Sequence, residues 1–180
     1  FAAVIGAPVY RVNFNGMTTT DDIIGKLLPA GNGEVRFQDG GVTECVRHGG
    51  ILLLEELNAC SQEVLFSLHG LIDGFSSLVL VEKDNEIVHK HIDCHIFATL
   101  NPSEYVYLYP GTKDLSQAFA SRWPIFRHVN FLPEDIECNL IKKNYNFLSI
   151  TVIRQMVKVA NLSRKLMDEG KLTFVFSARV

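Results

Sequence analysis

The chain has 180 residues, with 17 Lys plus Arg against 20 Asp plus Glu for a net charge of −3, and 47% hydrophobic residues. At roughly 150 residues per domain this is one domain with a remainder, and the mix excludes disordered, collagen-like and disulfide-dense classes. The longest apolar runs, such as Ile51-Leu52-Leu53-Leu54, fall far short of the ~20 residues that cross a bilayer.

No basic region followed by an apolar stretch opens the chain. Four scattered cysteines, Cys45, Cys60, Cys94 and Cys138, in a chain able to bury its own core point to a reducing, cytoplasmic compartment.

Val9–Phe14 is a strand candidate, and Thr20-Asp21-Asp22 opens a short helix towards Leu28 with a Thr cap. Residues 33–45, with Val35, Phe37 and Val42 around Asp39-Gly40-Gly41, read as a hairpin. Ile51–Leu54 is an apolar strand of the kind buried on both faces of a parallel sheet. Ser61 caps a helix to Asp73 on Val64, Leu65, Leu68 and Leu71. Leu78–Val81 and Glu86–His89 form a second hairpin about Lys83-Asp84-Asn85. Then come strand His95–Thr99, helix Leu115–Ser121 and strand His128–Phe131. Strands alternating with helices predict an α/β parallel sheet.

Charge divides the chain. Residues 1–138 hold 9 basic and 18 acidic residues, net −9, whereas residues 139–180 hold 8 and 2, net +6. Pro133-Glu134-Asp135 just before the switch reads as a helix start, so a boundary is placed there: 1–133, then 134–180. In the second part Val152, Ile153, Met156, Val157, Ala160 and Met167 line one side of a helix over 148–169, with Arg154, Lys158 and Lys165 on another.

Three strings carry chemistry. In Gly50–Asn58 four apolar residues deliver Glu55 and Glu56 to the C-terminal tip of a buried strand, the edge at which open α/β sheets bind ligands. One carboxylate there can hold Mg²⁺ while the next polarises water, as in phosphoryl transfer; a solvated acidic turn is the bland alternative. Ala98-Thr99-Leu100-Asn101-Pro102 brings a neutral amide to the same edge, where it can position that water. Asp114–Trp123 is an amphipathic helix ending on Arg122, either a helix-end cation or an arginine finger for a neighbouring subunit. Arg179, in Ser177-Ala178-Arg179, is a further candidate.

In this order the strings resemble the AAA+ ATPases, specifically the MoxR and dynein-related branch. Gly50–Asn58 is similar to its Walker B segment, Ala98–Pro102 to sensor 1, Leu115–Arg122 to the arginine-finger helix and Ser177–Arg179 to sensor 2. The two hairpins fall where the branch carries its insertions. Tyr109–Asp114, Arg122-Trp123 and Asn130–Pro133 most resemble the cobaltochelatase CobS-like group.

The resemblance implies a P-loop NTPase (AAA+) core over 1–133 with a small C-terminal helical lid over 134–180. It implies ATP and Mg²⁺ as cofactors, with Glu55 holding the metal, Glu56 activating water and Asn101 aligning it. Arg122 would reach a neighbour's γ-phosphate and Arg179 would sense nucleotide. It also implies a hexameric ring that remodels a client, often with a von Willebrand A-domain protein.

Two departures stand out. The family has Asp where Glu55 stands, and no Gly-x-x-x-x-Gly-Lys-[Ser/Thr] occurs. Phe1–Ile5 is then expected to be the last turn of the helix after that phosphate loop. The alternative is a degenerate AAA+ module that binds or assembles without hydrolysis.

His89, His91, Cys94 and His95 suggest a metal cluster, but strand alternation sends Cys94 and His95 to opposite faces, so a polar hairpin rim is preferred. Phe37 is expected to pack rather than to face a pore. The overall acidity argues against a nucleic-acid groove.

Overall fold

A computed structural model describes residues 2–74, 76–101 and 111–176. It divides into two compact units, residues 1–125 and 126–180.

In the first unit, one turn α1 (Ala2–Ile5) precedes β1 (Val9–Asn13) and one turn α2 (Thr20–Ile23). There follow β2 (Gly25–Gly31), β3 (Glu34–Asp39), α3 (Gly41–His48) and β4 (Gly50–Glu55). After a 3-10 turn at Leu57–Ala59 come α4 (Gln62–Ser67), α5 (His69–Ile72), β5 (Ser77–Leu80), β6 (Glu86–His89), β7 (Cys94–Ala98) and α6 (Gln117–Ala120).

The strands β1, β4 and β7 form a parallel sheet in that order, with Val9 opposite Ile51 and Gly50 opposite Cys94. Alternation along β4 decides which face is core. Leu52 and Leu54 are fully buried, together with Val42, Cys45 and Val46 of α3 and with Leu65, Leu68 and Leu71 of α4 and α5. Arg11, Leu53 and Glu55 share the other face. Gly50 has φ +122, and a Cβ there would lie 2.7 Å from the Pro8 carbonyl oxygen. Only glycine lets this strand start so close to the chain entering β1.

The first hairpin differs from the sequence expectation. Its turn is Asn32-Gly33, both at positive φ, and it joins β2 to β3. Asn-Gly satisfies the two left-handed positions of a tight hairpin turn, and this closes the strands before Asp39-Gly40-Gly41 is reached. Gly40 instead precedes α3, whose Val42, Cys45 and Val46 recur at helical rather than strand spacing. The helix expected to run to Leu28 stops at Ile23, because residues from Gly25 onward pair with β3. The expected helix to Asp73 is capped by Ser61 but breaks at Leu68 into α4 and α5. The second hairpin, β5 with β6, forms as read. No ladder forms at His128–Phe131 among the described residues.

The buried thiols of Cys45 and Cys94 lie 3.6 Å apart, and all four cysteines are free. The hydrogen bond with Cys94, followed by burial, pushes the Cys45 thiol up. Arg47 of α3 ties the hairpins together, with Nε donating to Asp39 and Nη1 to Glu86, both at 2.6 Å. Lys83 adds a contact to Glu86 at 2.8 Å.

The second unit contains α7 (Glu134–Asn144) and α8 (Ile150–Asp168). Pro133 sits at the N-cap of α7, with Glu134, Asp135 and Glu137 in the first turn. Ser149 Oγ accepts the Val152 N–H at 3.3 Å to cap α8. Cys138, Ile153 and Val157 form the core, with Ile141 and Leu148 against it.

The buried stripe of α8 is rotated from the expected one. Val152 and Met156 are exposed, whereas Ser163 and Arg164 are buried with Ile153, Val157, Ala160 and Met167. Arg164 can be buried because every nitrogen of its guanidinium has a hydrogen-bond acceptor. It donates to both Glu137 oxygens at 2.7 and 2.8 Å, to Asn161 Oδ1 and to the Phe176 carbonyl, and it lies over the Phe131 ring. Among the described residues no helix is long and apolar enough to cross a membrane.

Candidate functional site

The chemistry-bearing residues of the first unit collect where β4 and β7 end. β4 stops at Glu55, and Glu56 adopts left-handed backbone, φ 56 and ψ 40, before the 3-10 turn. A non-glycine residue there costs on the order of 1–3 kcal/mol, and such strain concentrates at functional sites. The end of β7 fixes it in place. Thr99 N–H donates to the Leu54 carbonyl (2.9 Å), Leu57 N–H to the Thr99 carbonyl (3.0 Å) and Glu56 N–H to Thr99 Oγ1 (3.2 Å).

Asn58 completes the junction from a buried position. Its Nδ2 donates to the carbonyls of Asn101 (2.8 Å) and Lys113 (3.2 Å), and its Oδ1 accepts the Asn101 N–H (3.2 Å). Lys113 N–H closes back on the Asn58 carbonyl at 3.0 Å. Asn101 is thus held by its backbone beside the strand tip. Sequence reasoning took Asn58 only as part of a string and missed this clasp; a polar residue one step into an otherwise apolar turn was the available signal.

The Glu55 carboxylate is already partnered. Arg11 Nε donates to Oε2 at 3.1 Å, and Nη2 donates to Oε1 and Oε2 at 2.9 and 2.8 Å. Arg11 was absent from the sequence-based site. Mg²⁺ takes oxygen ligands, keeps several waters and needs only one or two protein carboxylates beside substrate phosphates. The Glu55 carboxylate is an oxygen donor of that kind. No cluster of three or more His, Cys, Asp and Glu able to hold a metal occurs among the described residues. At the His-rich rim Cys94 turns inward to Cys45, and His91 Nδ1 accepts the Asp93 N–H.

Arg122 lies elsewhere in the unit. Its Nη1 donates to the Ala118 carbonyl of α6, and its Nε lies 3.3 Å from Asp73 Oδ2 as an ion pair without hydrogen-bond geometry. His69, with Phe66 and Phe119 against its ring, loses basicity chiefly through burial and secondarily through Arg122. Arg179, Pro102, Tyr109 and Pro110 fall outside the described residues. Phe37 packs half-buried against the core with Lys83 above its ring. A Cβ on Gly25 would meet that ring at 2.8 Å. A cavity of ≈ 990 Å³ opens between the two hairpins, lined by residues such as Leu28, Phe37 and Lys83, and does not contain the strand-tip carboxylates.

The parallel sheet thus carries Glu55, Glu56 and Asn101 at the C-terminal edge of its strands, the edge at which open α/β folds bind ligands. The comparisons define the class. The family model for the AAA domain (dynein-related subfamily) matches residues 1–123, and the chain belongs to that family. Its fold is accordingly α/β of the P-loop NTPase type.

The chain is 27% identical over 188 residues to the aerobic cobaltochelatase subunit CobS of Sinorhizobium sp, covering 99% of this chain and 56% of that protein. It is 37% identical over 125 residues to midasin of Dictyostelium discoideum, covering 69% of this chain and 2% of midasin. A crystal structure of a proposed ATPase from Cytophaga hutchinsonii shares the fold at TM-score 0.57 and 17% identity, over 90% of this chain and 50% of that one. The chain thus spans little more than half of CobS and a small part of midasin.

Proposed function

We propose that the full-length protein is a Mg²⁺-dependent AAA+ ATPase of the MoxR/CobS type, a cytoplasmic hexameric ring that remodels a client, with a von Willebrand A-domain protein as one partner. The observation that carries this reading is the strained Glu56 at the tip of β4, pinned to Thr99 next to the Asn58–Asn101 clasp. A left-handed glutamate is not needed merely to end a strand, since glycine does so without the cost.

In this reading Glu55 helps hold the metal, while Glu56 orients the attacking water and takes up its proton. Asn101 aligns the same water. Bound Mg²⁺ supplies neutralisation of the phosphate charge. Arg122 leaves Asp73 to meet the γ-phosphate of a neighbouring subunit, and Arg179 couples nucleotide state to a helical lid subdomain, residues 134–180, that follows the 1–133 core in the chain. The reading concerns the whole protein, since the chain spans 56% of the length of CobS.

The test is Glu56→Gln in the full-length protein. ATP turnover is expected to fall by ~10²–10⁴, the usual contribution of a positioned base, with nucleotide binding kept. Unchanged turnover would remove Glu56 from the mechanism.

A second reading, an AAA+ scaffold that binds without hydrolysing, draws on the Arg11 fork that already occupies Glu55. Wild-type protein that binds ATP, assembles and shows no turnover would establish it instead.

A further inference from the structure

Arg11 and Glu55 meet across neighbouring strands for a geometric reason. In the parallel register Arg11 lies opposite Leu53, two residues before Glu55. Residues two apart on a strand share a face, so both side chains stand on the open side of the sheet. The contact is therefore diagonal, which suits long side chains. Glutamate has the reach to fold back along it. The result is a fork with both carboxylate oxygens engaged at 2.8–3.1 Å. Within these 180 residues the Arg11 side chain is 67% exposed and that of Glu55 27%, so the fork is a surface ion pair and not part of the core. The arginine can leave without opening the core.

We propose that Arg11 is a resident counter-ion of Glu55 that Mg²⁺ displaces on binding, so that this arginine sets the metal demand of the site. Guanidinium and Mg²⁺ both seek the same carboxylate oxygens, and one carboxylate cannot present both to each at full strength. Arg11 is thus a positioning residue that acts through Glu55. The inference rests on the metal role given to Glu55 under the proposed function.

The test separates the two. ADP affinity of the full-length protein is measured by calorimetry in EDTA and again in saturating Mg²⁺, and the ratio is the metal-dependent gain. Arg11→Gln is expected to leave the metal-free affinity unchanged and to enlarge the gain by about 2- to 5-fold, the range of an exposed ion pair. Glu55→Gln is expected to abolish the gain. Arg11→Lys keeps the charge but loses the fork, and its gain is expected to lie between wild type and Arg11→Gln; it also serves if the Gln variant does not fold.

A gain at or below the wild-type value in the Arg11 variants, with Glu55→Gln still impaired, overturns the Arg11 inference alone. A wild-type gain in Glu55→Gln overturns the metal role of Glu55 and the inference with it.

Discussion

Two arginine–glutamate forks, one in each unit, have nearly the same contacts and opposite surroundings. Arg11 holds Glu55 at 2.8–3.1 Å with side chains 67% and 27% exposed. Arg164 holds Glu137 at 2.7–2.8 Å with side chains 7% and 3% exposed. Distance alone would rank them as equals. Solvent does not: an exposed pair is screened and contributes ~0–1 kcal/mol, whereas a buried charge left without its partner is strongly destabilising. The first fork can therefore exchange partners while the second can only hold.

The buried fork is the place to expect the largest effect. Glu137→Ala leaves the Arg164 guanidinium buried with only Asn161 and the Phe176 carbonyl as hydrogen-bond partners. The helical unit should lose about 3–5 kcal/mol, read as a fall in urea midpoint by far-UV circular dichroism. Replacing both partners together, Glu137→Leu with Arg164→Met, should cost much less, because no lone charge remains. If the single variant were no worse than the double, the fork would not be what holds α7 to α8.

An intermediate case lies on the first unit's hairpins, where Arg47 joins Asp39 to Glu86. The Arg47 guanidinium, helped by Lys83, holds the Glu86 carboxyl down at about 2, against an ordinary value of 4.5. A depressed carboxylate stabilises the fold fully above its unfolded pKa and loses that contribution as pH falls through the folded one. Melting temperature should therefore drop more steeply between pH 4.5 and 2 in wild type than in Glu86→Gln. Above pH 5 the variant should melt lower by a constant offset. Parallel curves throughout would show that the clip carries no linkage.

The same contrast explains what could be read without coordinates. The strands β4 and β7 were legible as short, mostly apolar runs and β1 as an alternating one, and Glu55, Glu56 and Asn101 were legible as residues at or just beyond strand ends. The first hairpin was set wrongly because Asn32-Gly33 and Asp39-Gly40-Gly41 are competing turn signals, and only pairing decides between them. Arg164 could not be placed in the core from periodicity, which treats every arginine as solvent-facing. Arg11 was invisible for a different reason. Its partner lies 44 residues away, and nothing links the two until the β1–β4 register is known.

The smallest effect on stability should come from that invisible pair. Arg11→Ala is expected to shift unfolding by less than about 1 kcal/mol, and even that should fade at 1 M salt, where the Debye length is only ~3 Å. A double-mutant cycle on Arg11 and Glu55 should accordingly return a coupling several-fold smaller than one on Arg164 and Glu137, since both measure the same chemistry at different burial. A coupling of several kcal/mol at Arg11–Glu55 would mean that the open face of the sheet is covered in solution. Arg11 would then be structural, and the exchange proposed at Glu55 would have no free cation to give up.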